Sequence, residues 1–309
     1  AGYDLKFIAP IYDYLKQDFN LQIDEWTGHN QHNEKQSKQL LDWAEIVFCE
    51  WMLGNAVWYS KHIRNDQKLF IRLHRFELTR PEFYKNVDFS KVNRVITVSV
   101  YFFEKTIEYT GCPRNKMALI SNYLDINNYE KSNEPDKVYN LGIIGVLPSR
   151  KGYLKALQIL NELHKHDPRY NLSVFGKMPK NLPWIKNDKV EMSYFAECDK
   201  YIKEHKLSSV VHVEGFVDVK KELKDIGFIF SVSDDEEIPE SFHLAPADGF
   251  ASGNQGVLLD WNGVEYIYPK EYIFKSNAKI VDYVLQNQGI DEFSNTTKLG
   301  LSFIEERYS

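Results

Sequence analysis

Two rhythms of apolar residues take turns along this chain. Short continuous apolar runs read as buried strands, and stretches with an apolar residue at every third or fourth position read as helices. Leu5, Ile8, Ile11 and Leu15 fall near the helical period and predict a helix over 5–15. A short strand at 21–23 and a polar helix at 34–43 follow. Strands are expected at 45–49, 68–73 and 94–98, the second running into His74, with a helix through 103–109. This alternation is the pattern of a parallel sheet wrapped by helices.

From Asn127 to Asp136 the chain turns polar, with little to bury and Pro135 to break any helix, which is the makeup of a linker. The alternation then restarts with an apolar strand at 139–145, a helix through Leu154 and Leu160, and strands at 171–175, 210–213, 226–231 and 256–260. The tail over 293–308 reads as a last helix. At 309 residues the chain exceeds one ordinary core and suits two α/β domains. The expected organisation is a Rossmann-like domain over 1–126, a linker over 127–138, a second such domain over 139–292 and a C-terminal helix over 293–309 placed to cross back to the first. Two such domains facing each other hold ligands in a cleft at the carboxyl ends of their strands. The abrupt start at Ala1, Gly2, Tyr3 and Asp4 reads as the turn after a strand that has been cut away, so a piece of a longer protein is expected.

Composition narrows the function. A formal net charge of −6 argues against bulk nucleic-acid binding. Cys49, Cys112 and Cys198 are scattered with no metal or redox spacing and read as reduced thiols of a cytoplasmic protein. Asp4 and Lys6 interrupt the first apolar stretch, which therefore does not read as a signal peptide. No run approaches the ~18 apolar residues of a membrane span, although peripheral contact with the inner face of a membrane is compatible with the chain. His164 and His166 have no cysteine partners, which disfavours zinc. The acidic run from Asp234 to Glu237 reads as a solvated loop, because four adjacent acids cannot converge on one ion. Neither G-x-S-x-G nor G-x-G-x-x-G occurs, which disfavours serine hydrolase and nicotinamide chemistry.

The most informative stretch runs from Ile238 to Gly253. Glu240 and Asp248 bracket a loop, Ser241, Phe242, His243 and Leu244, and what reads as the first turns of a helix opening just after Phe242. Such a helix start aims backbone N–H groups and a positive dipole end at an anion, and the flanking carboxylates suit sugar hydroxyls. A second element lies at 145–152, where a strand ends and a helix begins. There Arg150 can fork onto phosphate oxygens and Lys151 adds a point charge ahead of Gly152.

Together these stretches resemble the retaining GT-B glycosyltransferases, family 4 in particular. Glu240, Phe242, Ala251 and Gly253 fall in register with that family's E-x7-E signature, and Asp248 stands where the second glutamate is expected. Lys151 and Gly152 match its donor-phosphate loop, with Val146 in place of the usual arginine and Arg150 as a substitute charge. Gly176 ends a strand as the family's V-x-G segment does, and Val213 to Val217 resembles a strand end whose backbone near Phe216 and Val217 meets the nucleobase. His74 matches a histidine that approaches the transferred sugar, and Asn122 and Asp125 match a segment before the hinge. Gly2 corresponds to the glycine-rich opening loop, and Gly2, Arg75 and Glu77 are candidate acceptor contacts.

The resemblance implies a metal-independent enzyme without a prosthetic group, using a nucleotide-sugar donor, a UDP-sugar by default. The sugar passes to a glycan, lipid-linked or protein-linked acceptor, as in bacterial surface polysaccharide or glycoconjugate synthesis. Catalysis would fall to His74, Glu240, Lys151 and Arg150, with the acceptor attacking on the face the nucleotide leaves. Gly176, Phe216, Val217, Ser241, Phe242, His243, Leu244 and Asp248 would complete the donor site. The alternative is a non-catalytic GT-B-like partner or scaffold, suggested by the departures at Val146 and Asp248.

Overall fold

Parallel pairing is the common feature of both sheets. The computed structural model describes residues 1–234 and 237–309, and of Ile290 the backbone alone. Its contacts divide these residues into two units: Ala1–Asn122 with Glu237–Phe242, and the remainder from Tyr123 onward.

The first unit holds a sheet of β1 (Ile46–Glu50), β2 (Lys68–Leu73), β3 (Arg94–Thr97) and β4 (Met117–Leu119), in that order. Val47, Leu69, Ile71 and Val95 of these strands, with Trp26, Met52, Tyr59 and Phe102, form its core. The helix Glu34–Trp43 is capped by Asn33, whose side chain accepts from the Gln36 amide, and Val100–Thr110 is capped by Ser99 and closed by a left-handed Gly111. Two expectations shift. The helix anticipated over 5–15 becomes a short turn at Ala9–Ile11 followed by Tyr12–Asp18, because Pro10 cannot sit inside a helix and can open one. The strand anticipated at 21–23 does not form, and only Gly2 and Glu25 make an isolated parallel bridge.

The second unit holds β5 (Asn140–Ile144), β6 (Asn171–Phe175), β7 (Val211–Gly215), β8 (Phe228–Ser231), β9 (Gln255–Leu259) and β10 (Ile273–Phe274). Their spatial order is β10-β9-β8-β5-β6-β7, all parallel. Strand order reverses between β5 and β8, and in such sheets the crevice at the carboxyl ends of these two strands is where ligands bind. The helix Tyr153–His166 buries Ala156, Leu157, Ile159, Leu160 and Leu163 against the sheet. The last helix, Ile290–Tyr308, packs on the helix Ala245–Ala251, where a Cβ at Gly300 would stand 2.2 Å from the Phe250 ring.

The polar segment ahead of β5 is tied down. Lys137 is buried, and its ammonium donates to the carbonyls of Ser132, Lys224 and Gly253 at 3.1, 3.0 and 3.1 Å. Burial draws its pKa down to about 8. Replacing it with methionine keeps the stem and removes all three hydrogen bonds, leaving buried acceptors unpaired. Lys137→Met is expected to lower the unfolding free energy by about 2–4 kcal/mol in urea denaturation, whereas an inert linker residue would change it by less than about 0.5.

Candidate active site

The turn after β5 is built to lie against the chain after β8. Gly145 leaves the strand with a positive φ of 74°, its N–H bonded to the Phe175 carbonyl at 2.7 Å. Ser149 is held at both its N–H and its hydroxyl by Glu191, each at 2.7 Å, which fixes the short turn Ser149–Lys151. Gly152 is left-handed at φ +78°, and a Cβ there would sit 2.0 Å from the Val232 carbonyl oxygen, so glycine alone permits this approach. The Asp234 amide donates to the Arg150 carbonyl at 2.7 Å, and Lys155 pairs with Asp234 at 2.6 Å. Arg150 and Lys151 are thus half-buried cations at the switch between β5 and β8. Val146 is fully buried in the core, so that position offers no charge.

The segment after β8 departs from expectation. Its helix is Ala245–Ala251, beginning later than just after Phe242, with Leu244 as the capping residue. Pro246 lacks an N–H, and the Ala247 amide donates to the Tyr268 hydroxyl, so the helix start presents fewer amides than its position suggests. The turn before it is the stronger feature. His243 is left-handed at φ +52° and Leu244 right-handed at φ −63°, an alternation that aims successive N–H groups to one side. The strain of a non-glycine residue in that conformation, about 1–2 kcal/mol, is held by two buried partners. Ser231 Oγ meets His243 Nδ1 at 2.6 Å, and the Tyr268 hydroxyl donates to the His243 carbonyl at 2.8 Å.

Asp248 accepts a 2.6 Å hydrogen bond from the Tyr129 hydroxyl. Burial raises its pKa to about 6, partly offset by that hydrogen bond and by Lys220. Tyr129 had no sequence signal, because its partner is 119 residues away. Towards the β7 edge, the Gly176 amide donates to the Gly215 carbonyl at 2.6 Å. Phe216 projects with 83% of its surface exposed and Lys177 lies 5.7 Å from its ring, while Val217 packs inward near Phe175 and Leu223.

In the first unit His74 is buried rather than open at its strand end. Its Nε2 lies 2.7 Å from Glu50, which also takes a forked contact from Arg72 at 2.7–3.1 Å, and its ring lies against Phe7 and Trp51. Glu77, a candidate acceptor contact, is wholly buried, and one carboxylate oxygen accepts from the Met52 and His74 amides. Burial raises its pKa. It therefore fixes the turn after β2 instead of facing an acceptor. Arg75 donates to the Ile238 carbonyl at 2.7 Å. Gly2 is also buried, its N–H and carbonyl both spent on residues 24 and 26, and a Cβ would lie 2.6 Å from the Glu50 carbonyl oxygen. That close backbone packing, not acceptor contact, is its role. Glu240 is buried, Ser241 half-buried, and Phe242 only 1% exposed, which makes Phe242 a packing residue. A cleft of about 520 Å³ lined by Tyr3, Asp4, Lys6, Tyr12, Ile23 and Glu25 opens on this unit.

Among the described residues no group of three or more His, Cys, Asp or Glu side chains converges as a metal site. Asp235 and Glu236 of the acidic run lie outside the described residues. No described helix is long and apolar enough to cross a membrane.

No protein-family model and no curated protein matches the chain. Solved structures do. Anabaena HepE in complex with UDP-glucose superposes with a TM-score of 0.73 at 14% identity, over 97% of this chain and 85% of that one. The fold is GT-B. Also similar are S. aureus TarM in complex with Fondaparinux, alpha-GlcNAc-glycerol and UDP (TM-score 0.65, 17% identity, 85% of this chain, 52% of that) and the pneumococcal O-GlcNAc transferase GtfA in complex with UDP and GlcNAc (0.62, 14%, 89% and 56%). The chain thus spans little more than half the length of the last two. These neighbours are GT-B glycosyltransferases.

The raised pKa of Asp248 has a signed consequence. Folding favours its protonated form, so its stabilising contribution is complete below the unfolded value of about 3.9 and is lost as pH rises through about 6. Asp248→Asn, which keeps an acceptor for Tyr129, is expected to gain about 1–2 kcal/mol relative to the native protein between pH 4 and pH 7.5 in urea unfolding. A difference that stays constant with pH would contradict the buried, hydrogen-bonded carboxyl.

Proposed function

We propose that the protein is a retaining glycosyltransferase of the family-4 type, moving a sugar from a UDP-sugar to a glycan, lipid-linked or protein-linked acceptor. The observation that carries this reading is the cationic turn of Arg150 and Lys151 at the topological switch of a GT-B second unit. The reaction places negative charge on the departing nucleotide, and fixed cations with the N–H groups of His243 and Leu244 stabilise that charge as it develops. Glu240 is assigned to the donor sugar's hydroxyls and Asp248 to the ribose. His74 acts through its place beside Trp51 and Phe7 rather than as an open base. The acceptor oxygen bonds to the anomeric carbon on the face where the bond to phosphate breaks, and its proton passes to the leaving phosphate oxygen. The first-unit cleft, with Tyr3 and Tyr12 beside Asp4, Lys6 and Glu25, has the mixed aromatic and polar lining that sugars favour and is assigned to the acceptor. Work in bacterial surface polysaccharide or glycoconjugate synthesis fits this substrate pair.

One observation favours the rival reading, a non-catalytic GT-B-like partner: Val146 is sealed in the core where the resembling family has arginine. The two readings separate in a thermal-shift panel of UDP-, GDP-, ADP- and CMP-sugars, because a ligand at 100 times its Kd stabilises the folded state by about 2.7 kcal/mol. The UDP-sugar is expected to raise the midpoint, and Lys151→Ala to weaken its binding by about 10- to 100-fold through loss of a charged hydrogen bond. A folded protein that no nucleotide-sugar shifts would leave the partner reading standing.

A further inference from the structure

Tyr129 belongs to a segment with no other evident task in the site. It follows the short turn Ile126–Asn128 and reaches Asp248 on a helix 119 residues later, donating its hydroxyl at 2.6 Å. The arrangement is braced. The Glu130 amide donates to the Lys220 carbonyl at 2.9 Å, Glu130 pairs with Lys224 at 2.8 Å, and the Lys220 ammonium lies 5.7 Å from the Tyr129 ring. Lys220 stands in the segment that leaves β7 past Phe216, so Tyr129 and Asp248 sit beside the β7 side of the switch. A half-buried carboxylate in that place is costly unless something uses it.

Aspartate reaches about an ångström less far than the glutamate it replaces in the resemblance. A phenol that donates to a carboxylate still has oxygen lone pairs with which to accept. Asp248 and Tyr129 therefore present two adjacent acceptors, one held by the other, in front of a helix that cannot itself move closer. Two adjacent hydroxyls on one ring face are the ligand such a pair fits. Resting on the reading that the second unit binds a nucleotide-sugar, we propose that Tyr129 is a positioning and specificity residue of that site: it holds Asp248 and shares with it the recognition of the ribose diol. The phenol supplies the reach that the shorter acid lacks.

Titration bears on the same pair. The charged or titratable groups that face Asp248 are Tyr129, Tyr268 and Lys220, and Asp125 and Asp218 face Tyr129. Removing the Tyr129 hydroxyl takes away a group that favours the ionised carboxylate, so the acid limb of ligand binding moves to higher pH in Tyr129→Phe.

The test is calorimetric binding of UDP and 2′-deoxy-UDP to the native chain, Tyr129→Phe, Asp248→Glu and the double variant, with thermal unfolding of each. The native chain is expected to prefer UDP by about tenfold, and Tyr129→Phe to lose about five- to tenfold in UDP affinity with little change for 2′-deoxy-UDP. Asp248→Glu in the Tyr129→Phe background should restore UDP affinity to within about twofold, because the longer acid no longer needs the phenol. Three results would overturn the inference while leaving the site intact: no preference for UDP in the native chain, equal losses for both nucleotides, or no rescue by glutamate. A native chain that binds neither nucleotide, nor any sugar-nucleotide of the panel, would remove the underlying site as well.

Discussion

The contact on which the second unit depends is the passage of Gly152 beneath the Val232 carbonyl. It brings the turn after β5 against the chain leaving β8, and the Asp234 amide on the Arg150 carbonyl locks the two together. Without that approach Arg150 and Lys151 would be an ordinary basic turn in water. With it, two cations stand half-buried where strand order reverses, the one place in an open parallel sheet where helices on opposite faces diverge and leave room. The left-handed turn at His243 belongs to the same construction, since Ser231 at the end of β8 and Tyr268 hold it from two sides. Strain of this kind persists only where the surroundings over-determine it.

Supports for this region come from far along the chain. Lys137 pins the start of β5 to three carbonyls, and Tyr129 anchors Asp248, both from a stretch whose polarity reads as spare linker. Polar residues there are not idle, because each meets buried carbonyls or a carboxylate that would otherwise lack partners. In the first unit Glu50, Arg72 and His74 form a buried charged cluster at the ends of β1 and β2, which makes the turn after β2 rigid. Rigid strand ends are what a sugar-transfer site needs, since misplacement by an ångström is costly in such chemistry.

Much of the fold was legible in the residues. Runs such as Leu69 to Leu73 and Leu172 to Phe175 are apolar throughout and long enough to be buried strands, and both are. Met117–Leu119 and Ile273–Phe274 are too short to stand out, and Pro10 displaced the first helix along the chain. The cationic turn was visible because Arg150, Lys151 and Gly152 are adjacent. The pairings that support it were not, because they join residues 24 to 119 positions apart, as in His74 with Glu50 and Tyr129 with Asp248. Residue type alone also misplaced Glu77 and Phe242, which packing has drawn inside.

The account stands on a nucleotide diphosphate lying against the turn 145–152. A crystal structure of the protein with UDP tests that most directly. The diphosphate should lie within about 2.7–3.2 Å of the Lys151 ammonium and of the backbone N–H groups at His243 and Leu244. Nucleotide density elsewhere on the second unit, with that turn closed over by its own side chains, would contradict it.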